Sequence, residues 1–368
     1  MRIVVTGGGT GGHINPAIAI ANEIKSRDKK NEILFIGTKK GLETRLVPEA
    51  GFDIEFVNVE GLKGKGKLKN IPVLTKFSFG IVKCISIIRK FKPDAVVGTG
   101  GYVSAPAVLA ASSLKIPAVI HEQNAIAGKT SKLLSKYAKR VCVTFDNKEL
   151  LGCPEKTVVT GNPVRDAFKS VNGTASRKEL ALSEELPLIV CVSGSLGAQK
   201  INDCIIDFIS THHKEKKYNI VVVTGDFYYE SVLSKLKENG VDTEDGHIFI
   251  KNYVNNVEKY LSAADLVISR SGATFLSEIA YLGKPSILIP SPNVAENHQE
   301  LNADIFAKND AAIKISEEFL TKEVFENTLT DLISDKYKLN VMGHNARNIS
   351  IVNSAELIVD EIEKMIKK

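Results

Sequence analysis

Residues 2–13 read RIVVTGGGTGGH, and this stretch decides the fold. A short apolar run is followed by a glycine-rich turn and then by a segment with helical periodicity. A helix that starts in this way offers unpaired N–H groups and a partial positive charge, which attract phosphate. The pattern recurs downstream, where LIVCV at 188–192 precedes SGSLGA at 193–198. One such unit is typical of a nucleotide-binding domain, and two predict paired Rossmann-like domains with a cleft between their loop ends.

The rest of the chain has the same organisation. Its 368 residues favour two domains, and alternating strand-like and helical segments indicate an α/β protein with parallel sheets. The turn GNPVR at 161–165 is the predicted boundary, which gives an N-terminal domain over 1–163 and a C-terminal domain over 164–350, followed by a last helix at about 351–367. We expect strands at 2–6, 32–36, 54–57, 94–98, 117–120, 140–143, 157–160, 187–192, 219–223, 247–250, 265–268 and 285–289.

The bulk composition excludes several classes of protein. A formal net charge of +5 is too mild to indicate nucleic acid by itself. The five cysteines form no CxxC pair, and their odd number favours buried apolar side chains in a reducing compartment over disulfides or zinc ligands. No apolar run approaches the roughly 18–20 residues of a membrane span, and no secretory segment precedes the first strand. We therefore expect a cytoplasmic protein whose membrane contact, if any, is peripheral.

The first glycine loop satisfies GxGxxG through Gly7, Gly9 and Gly12, a motif that alone is weak support for a dinucleotide site. A dinucleotide enzyme has an acidic residue at the end of its second strand to hold the ribose. Here that strand ends in GTKK at 37–40, which disfavours a nicotinamide-dependent oxidoreductase. His13 ends the glycine turn and is a candidate for proton transfer or ligand contact. The alternative is a residue that only caps or packs the helix.

A second glycine unit, GTGGYVSAP at 98–106, follows another predicted strand. Two glycine loops at one sheet edge could hold two phosphates or both ends of a diphosphate, and a tight turn is the alternative. The next strand delivers HEQN at 121–124 to the same edge, where polar side chains suit ligand contact better than a core. Glu122 is a second candidate for a general base, or alternatively a residue that orients His13 or the neighbouring backbone.

Taken together, these segments closely resemble the N-acetylglucosaminyl transferase family of bacterial cell-wall synthesis, the MurG family. The matching segments occur in the family's order across nearly the whole chain: GGGTGGH (7–13), GTGGYVSAP (98–106), HEQN (121–124), GNPVR (161–165), GSLGA (194–198), SRSGATFLSEIA (269–280) and ENHQELNA (296–303). One departure is Ser193, which stands where the family usually has a glycine. Because serine tolerates a positive φ poorly, the departure bears on the backbone angles of this loop.

The resemblance implies a GT-B fold, with two Rossmann-like domains facing a central cleft and the C-terminal helix packed back on the first domain. It implies transfer of N-acetylglucosamine from UDP-N-acetylglucosamine to the 4-hydroxyl of undecaprenyl-diphosphoryl-N-acetylmuramoyl-pentapeptide, the step from lipid I to lipid II in peptidoglycan synthesis. Roles in cell-wall biogenesis, cell shape and cell division would follow, at the cytoplasmic face of the bacterial cell membrane. No cofactor is expected, because the UDP sugar is a substrate, and no metal is expected, because the chain has no Asp-x-Asp motif.

The resemblance also assigns the donor to the C-terminal half. Ser195 would contact the diphosphate, and Val254 would present its backbone to uracil. Glu278 would accept hydrogen bonds from the ribose hydroxyls, with a helix-surface charge as the alternative. Gln299 would face the sugar hydroxyls. Arg165 would reach the nucleotide or its phosphates, with an interdomain ion pair as the alternative. Residues of the first half that would approach the donor sugar are Thr10, Gly11, Gly12 and Asn124.

An α-linked donor and a β-linked product imply inversion by a single displacement. His13 is the preferred general base, and Glu122 is its rival. The helix N-terminus after the Ser195 loop, assisted by the one near 271–273, would stabilise the leaving diphosphate. The loop expected to contact the acceptor or its diphosphate contains Gly100, Gly101, Tyr102 and Ser104.

The segment 61–93 contains no acidic residue and mixes lysines with apolar side chains. This composition suits an anionic membrane surface. The alternative is a solvated lysine loop before an ordinary core helix, and Ile81, Ile85 and Ile88 do predict a buried stripe. Nucleic acid is disfavoured because no recognised module is present. The predicted membrane patch contains Lys65, Lys67, Lys69, Ile71, Leu74 and Phe77.

Two further functions compete with the transferase. Another GT-B glycosyltransferase acting on a membrane lipid acceptor would share the nucleotide half, but HEQN and GGYVSAP argue against it. A non-catalytic module that binds nucleotide sugars would need the glycine loops and Glu278, but it would not need His13.

Overall fold

The computed structural model describes residues 1–61, 70–146, 151–194 and 197–367. The chain divides into two compact units. The first unit comprises Met1–Arg165 and Ile351–Lys368, and the second comprises Asp166–Ser350. Each unit is built on one sheet in which every strand pairing is parallel. The prediction of an α/β protein with two parallel, Rossmann-like sheets is therefore confirmed.

The described elements alternate between strand and helix along most of the chain. The strands are β1 (Arg2–Thr6), β2 (Glu32–Gly37), β3 (Asp53–Phe56), β4 (Ala95–Gly98), β5 (Ala118–Glu122), β6 (Arg140–Val143), β7 (Thr157–Val159), β8 (Leu188–Val192), β9 (Asn219–Val223), β10 (Ile248–Lys251), β11 (Leu266–Ser269), β12 (Ser286–Leu288) and β13 (Ala312–Lys314). The helices are α1 (Gly11–Arg27), α2 (Glu43–Glu49), α3 (Ile71–Phe91), α4 (Ser104–Ser113), α5 (Lys129–Leu134), α6 (Gly173–Glu179), α7 (Gln199–His212), α8 (Tyr229–Glu238), α9 (Val257–Ala263), α10 (Ala273–Leu282), α11 (His298–Lys308), α12 (Lys322–Ser334), α13 (Lys336–Ile349) and α14 (Ser354–Ile366).

The strand order of each sheet defines where a ligand would bind. The first sheet has the order β3-β2-β1-β4-β5-β6-β7, and the second has the order β10-β9-β8-β11-β12-β13. In both sheets the order reverses beside the first strand of the unit, so a topological switch point lies between β1 and β4 and another between β8 and β11. Ligands of open α/β sheets bind outside the carboxyl ends of the strands at such points.

The first sheet is covered on both faces. On one face, Ile14 and Ile20 of α1 pack with Ile358 and Ile362 of α14 in a fully buried cluster. Arg27 of α1 reinforces this contact through ion pairs with residues of α14, including Asp360 at 2.7 Å. The last helix is therefore part of the first unit. The opposite face is covered chiefly by α3 and α4.

The second sheet has its own core. Ile189 and Cys191 of β8 contribute to a buried cluster with Ile205 and Phe208 of α7 and with Leu329 of α12. All five cysteines of the chain are free and buried, and burial raises the pKa of the Cys142 and Cys191 thiols to about 12. They act as apolar packing groups, as the sequence predicts.

Two features differ from the expectations. The sequence does not predict β13, a strand of only three residues at the sheet edge, of which Ala312 alone is buried. No apolar run of membrane-spanning length is expected from the sequence either. In the structure, however, α3 has the length and the apolar composition of a helix that could cross a membrane. One such helix is weak support for a span, because Val73, Cys84 and Ile88 of α3 are buried in the core of the first unit.

Candidate functional site

Three loops meet at the switch point of the first sheet, after β1, β4 and β5. The loop after β4 is hydrogen-bonded to the segment that contains the first glycine loop. Thr99 donates its N–H to the Thr6 carbonyl at 2.9 Å and its hydroxyl to the His13 carbonyl at 2.8 Å. A Cβ on Gly7 would lie 1.9 Å from the Thr99 hydroxyl, so only glycine allows this approach.

His13 lies against the second glycine pair. A Cβ on Gly100 would lie 2.8 Å from His13 Nδ1, and a Cβ on Gly101 would lie 2.7 Å from the Gly8 carbonyl oxygen. Both glycines also have positive φ angles, 102° and 75°. These two glycines therefore make room for the imidazole and join the two loops. Diphosphate binding by this loop stays a prediction.

The side chain of His13 contacts Gln123. Gln123 in turn contacts Thr99 and His121. His13 Nδ1 lies 3.1 Å from Gln123 Oε1. Gln123 Nε2 donates to the Thr99 carbonyl at 2.7 Å and lies 2.9 Å from His121 Nδ1, and His121 Nε2 lies 2.9 Å from the Gly161 carbonyl oxygen. Gln123 and His121 are both buried. Burial lowers the pKa of His121 to about 4, so its imidazole is neutral near pH 7.

The carboxylate of Glu122 is hydrogen-bonded to the loop that follows β5. Its Oε1 accepts the backbone N–H of Asn124 at 3.0 Å and the Asn124 side-chain amide at 3.1 Å, and its Oε2 accepts the Gly128 N–H at 3.1 Å. The carboxylate thus holds the loop after β5, and its part in catalysis stays a prediction. Gln123 contacts His13 in its place, which corrects the alternative that Glu122 orients the histidine.

A buried carboxylate that the sequence analysis missed lies behind the first loop. Glu43 is fully buried, its Oε2 accepts the Gly9 N–H at 2.9 Å, and its Oε1 accepts the Thr38 N–H and hydroxyl at 3.0 and 2.7 Å. A Cβ on Gly8 would lie 2.6 Å from the Glu43 carboxyl carbon. Part of the anion-binding capacity of the first loop is therefore used by the protein's own carboxylate.

The remaining predicted residues of the first unit lie at the same edge. Thr10 is exposed and precedes α1, and Gly11 and Gly12 form the first turn of that helix. Tyr102 is partly buried against the core. Ser104 is buried and donates its hydroxyl to the Gly101 carbonyl at 2.9 Å, which closes the turn of this loop.

The loop of the second switch point follows β8. Ser195 lies outside the described residues, so its contact with diphosphate stays a prediction. The positive φ angles described in this loop are 92° at Gly194 and 76° at Gly197, and Ser193 does not have one. The buried Ser193 hydroxyl donates to Asn202 Oδ1 at 2.6 Å. The serine is therefore accommodated without strain, which removes the concern about the backbone angles.

Two helices start at the switch point of the second sheet, α7 after β8 and α10 after β11. Neither has an acidic residue in its first turn, and the N-cap residues, Ala198 and Gly272, make no side-chain cap hydrogen bond. Their partial positive charges are therefore available to an anion at this edge. Ser271, just before α10, is buried and donates its hydroxyl to the Gln299 carbonyl at 2.8 Å.

The other donor candidates follow strands of the second sheet. Val254 lies in the loop after β10 and is partly buried, and Glu278 lies buried on α10 after β11. Gln299 lies in the first turn of α11, and its Oε1 accepts the Ser291 N–H at 2.9 Å. All three thus follow carboxyl ends of the second sheet. Arg165 is partly buried. It is the last residue of the segment Met1–Arg165, which forms most of the first unit.

The turn before α11 has strained backbone. Glu296 and Asn297 are consecutive non-glycine residues with positive φ, 55° and 50°. Such residues cost about 1–3 kcal/mol each and cluster at functional sites. They belong to ENHQELNA, whose contact with the donor stays a prediction. Among the described residues, no group of three or more His, Cys, Asp or Glu side chains is arranged to hold a metal ion.

The predicted membrane patch is described only in part, because Lys65, Lys67 and Lys69 lie outside the described residues. On α3, Ile71 and Leu74 are exposed, as are Phe79 and Val82, at 71% and 63%. Phe77, which the prediction includes, packs against the core instead. The helical period explains the correction, because position 77 shares a face with the buried residues 73, 80 and 84.

Two parallel-sheet units with glycine loops and helix N-termini at their switch points are typical of the GT-B fold, and the family models show the class, the glycosyltransferases. The family model for the glycosyltransferase family 28 N-terminal domain matches residues 3–143, and the model for the C-terminal domain matches residues 188–362.

Relatives named UDP-N-acetylglucosamine–N-acetylmuramyl-(pentapeptide) pyrophosphoryl-undecaprenol N-acetylglucosamine transferase match the whole chain. The one from Acetivibrio thermocellus is 40% identical over 368 residues, and the one from Thermoanaerobacter sp. is 42% identical, each covering 100% of this chain and 99% of the relative. The crystal structure of Acinetobacter baumannii MurG is 28% identical, with a TM-score of 0.79 over 99% of both chains. The chain belongs to this family of N-acetylglucosamine transferases within glycosyltransferase family 28.

More distant structures share the fold alone. The UDP-N-acetylglucosamine 2-epimerase from Neisseria meningitidis, solved bound to UDP-N-acetylglucosamine, is 16% identical with a TM-score of 0.71 and covers 99% of this chain and 100% of its own. The predicted GT-B fold and family resemblance are thereby confirmed.

Proposed function

We propose that this enzyme transfers N-acetylglucosamine from UDP-N-acetylglucosamine to the 4-hydroxyl of undecaprenyl-diphosphoryl-N-acetylmuramoyl-pentapeptide, forming lipid II from lipid I. The observation that carries the proposal is identity of about 40% along the entire chain to relatives whose name states this reaction. The match includes both halves, so it covers the donor loops as well as the acceptor loops.

The proposed chemistry is a single displacement with inversion at the anomeric carbon. His13 is the proposed general base, which takes the proton of the acceptor hydroxyl as the new bond forms. Its position between two glycine loops at a switch point supports this role. Glu122 is the weaker candidate, because both of its carboxylate oxygens already accept hydrogen bonds from the loop after β5.

The leaving UDP carries developing negative charge on its diphosphate. We assign its stabilisation to the N-termini of α7 and α10, with Ser195 as the proposed side-chain contact. Fixed backbone dipoles stabilise such charge without reorganising during the reaction. The proposal requires no metal and no cofactor. Val254, Glu278, Gln299 and Arg165 are the proposed contacts to the uracil, the ribose, the sugar and the nucleotide phosphates, and Thr10, Gly11, Gly12 and Asn124 to the donor sugar.

A lipid-linked acceptor requires access to a membrane surface. The exposed apolar side chains on one face of α3 support a peripheral association with the cytoplasmic face of the cell membrane. The flanking lysines of segment 61–69 would add attraction to anionic lipid. Lipid II synthesis would give the enzyme a part in peptidoglycan synthesis, and through it in cell shape and division.

Measurement of UDP release tests the proposed function. The purified enzyme is supplied with UDP-N-acetylglucosamine and a lipid-linked muramoyl-pentapeptide, and in a parallel reaction with the galactosamine epimer of the donor. We expect acceptor-dependent UDP release with the first donor and much less with the epimer. Release that proceeds equally with a diacylglycerol acceptor would instead indicate a glycolipid synthase.

A further inference from the structure

We propose that Gln123 and His121 are positioning residues that hold His13 in one tautomer, with its proton on Nδ1 and its Nε2 free to accept a proton. The inference rests on the proposed function, in which His13 is the general base. Gln123 and His121 are not assigned any contact with the reacting atoms. Both would act through the imidazole of His13.

The orientation of the Gln123 amide follows from an acceptor that cannot donate. Gln123 Nε2 lies 2.7 Å from the Thr99 carbonyl oxygen, which only accepts hydrogen bonds. The amide NH₂ therefore faces Thr99, and Oε1 faces His13 Nδ1 at 3.1 Å. Since Oε1 is also an acceptor only, the hydrogen of a neutral His13 imidazole must be on Nδ1.

His121 accepts a hydrogen bond from the second hydrogen of the Gln123 amide NH₂. Its Nε2 lies 2.9 Å from the Gly161 carbonyl oxygen, so Nε2 carries the hydrogen and Nδ1 is the acceptor for Gln123 Nε2, at 2.9 Å. Gly161 itself packs closely against the start of the last helix, because a Cβ there would lie 2.5 Å from the Ser354 hydroxyl. The depressed pKa of His121, about 4, agrees with a permanently neutral imidazole. Each hydrogen in the path from Gly161 to His13 is therefore determined by its neighbours.

The consequence for the reaction is pre-organisation of the base. The choice of tautomer decides which ring nitrogen can accept a proton, and it is set by the hydrogen bond that the other nitrogen makes. Thr99 donates its hydroxyl to the backbone carbonyl of His13, at 2.8 Å, and not to the imidazole ring. Ring tautomer and backbone position are thus controlled by different residues, and variants can separate them.

The test combines nitrogen NMR of the imidazole with kinetics. Long-range ¹H–¹⁵N correlation distinguishes protonated from unprotonated ring nitrogens, and the His13→Gln spectrum identifies the His13 signals among the seven histidines. In the wild-type enzyme we expect His13 with a protonated Nδ1 and a bare Nε2. In Gln123→Met, a substitution of similar length, we expect mixed tautomers and a kcat about 10–100-fold lower, the usual cost of losing a group that orients a functional histidine.

Three variants control for structural damage. Thr99→Val removes the hydrogen bond to the His13 backbone, so it should leave the tautomer of the ring unchanged. His121→Asn retains an acceptor near the original Nδ1 and should preserve the wild-type pattern, whereas His121→Leu should not. The KM for UDP-N-acetylglucosamine should change little in Gln123→Met, because Gln123 is buried and is not among the residues assigned to the donor.

The failure of this inference is distinct from failure of the proposed function. A mixed or Nε2-protonated His13 in the active wild-type enzyme would overturn the positioning role, and the transfer reaction would still stand. Wild-type kcat together with an unchanged tautomer in Gln123→Met would overturn it as well. A protonated Nδ1 in an enzyme that fails to use the lipid-linked acceptor would support the positioning role and contradict the proposed function.

Discussion

Gly100 lies so close to His13 that a Cβ on the glycine would be 2.8 Å from the imidazole Nδ1. We expect Gly100→Ala to displace the imidazole by several tenths of an ångström or more and to lower kcat by about 10²-fold, the effect of misplacing a catalytic group by roughly 1 Å. Steady-state kinetics of UDP release measure this change.

Gly152→Ala is the matched control for that substitution. Gly152 also has a positive φ, 64°, but nothing lies within 4 Å of its missing Cβ. Its alanine variant should lose only about 1–2 kcal/mol of stability from backbone strain and should keep its kcat. If both variants lost activity equally, strain and not the position of His13 would explain the effect.

Glu43 should be essential to the stability of the first glycine loop. Glu43→Leu removes the acceptor of the Gly9 N–H and of both Thr38 donors, which are then buried without partners. Each such group costs about 1–3 kcal/mol, so thermal denaturation should show a clearly lower Tm. The control is Glu49→Leu, at an exposed position on the same helix α2, and similar Tm values for the two variants would contradict the assigned role.

His212 should make the stability of the second unit dependent on pH. Burial lowers the pKa of His212, but hydrogen bonds to Glu215 and Glu326, at 2.9 and 2.8 Å, outweigh it and leave the pKa raised. A raised pKa in the folded state stabilises the fold fully below the unfolded value of about 6.5, and this contribution is lost as pH rises through the folded pKa. The Tm difference between the wild type and His212→Gln should therefore be largest below the unfolded pKa and should shrink as the pH rises through the folded pKa. A difference that is constant with pH would contradict the assignment.

The exposed face of α3 should mediate membrane binding. Leu74→Ser together with Phe79→Ser should weaken binding to anionic phospholipid vesicles at least tenfold, because burial of one such side chain contributes about 1.5–3 kcal/mol. The Tm should barely change, since both side chains are exposed. Val352→Ser, at an exposed apolar position elsewhere in the first unit, is the control. Vesicle sedimentation measures binding, and equal affinity of all three proteins would rule out this face.

The sequence predicts the fold well because the strands of parallel sheets are buried on both faces and appear as continuous apolar runs. It does not predict β13, because this edge strand has only three residues and contains no continuous apolar run. It also misplaces Phe77, although the helical period from Val73 to Gly80 and Cys84 separates the buried face of α3 from the exposed one.

The site was predictable in its location and less so in its contacts. The glycine loops indicate the two switch points, because each follows an apolar strand. Glu43 gives no signal, because a glutamate in the first turn of a short helix is typical of a solvated residue, and only the folded chain brings the Gly9 and Thr38 donors to it. Gln123 did give a signal, because side chains alternate along a strand and its extension, so His121 and Gln123 share one side and Glu122 faces the other. That alternation separates the positioning glutamine from the glutamate that holds the loop.

Analysis of the product tests the central claim most directly. The enzyme is incubated with UDP-N-acetylglucosamine and the lipid-linked muramoyl-pentapeptide, and NMR determines the linkage of the product. We predict a β-1,4-linked disaccharide on the lipid, one UDP released per transfer, and a rate about 10²–10⁴-fold lower for His13→Ala. An α-linked product, or wild-type turnover by the His13→Ala enzyme, would contradict the account.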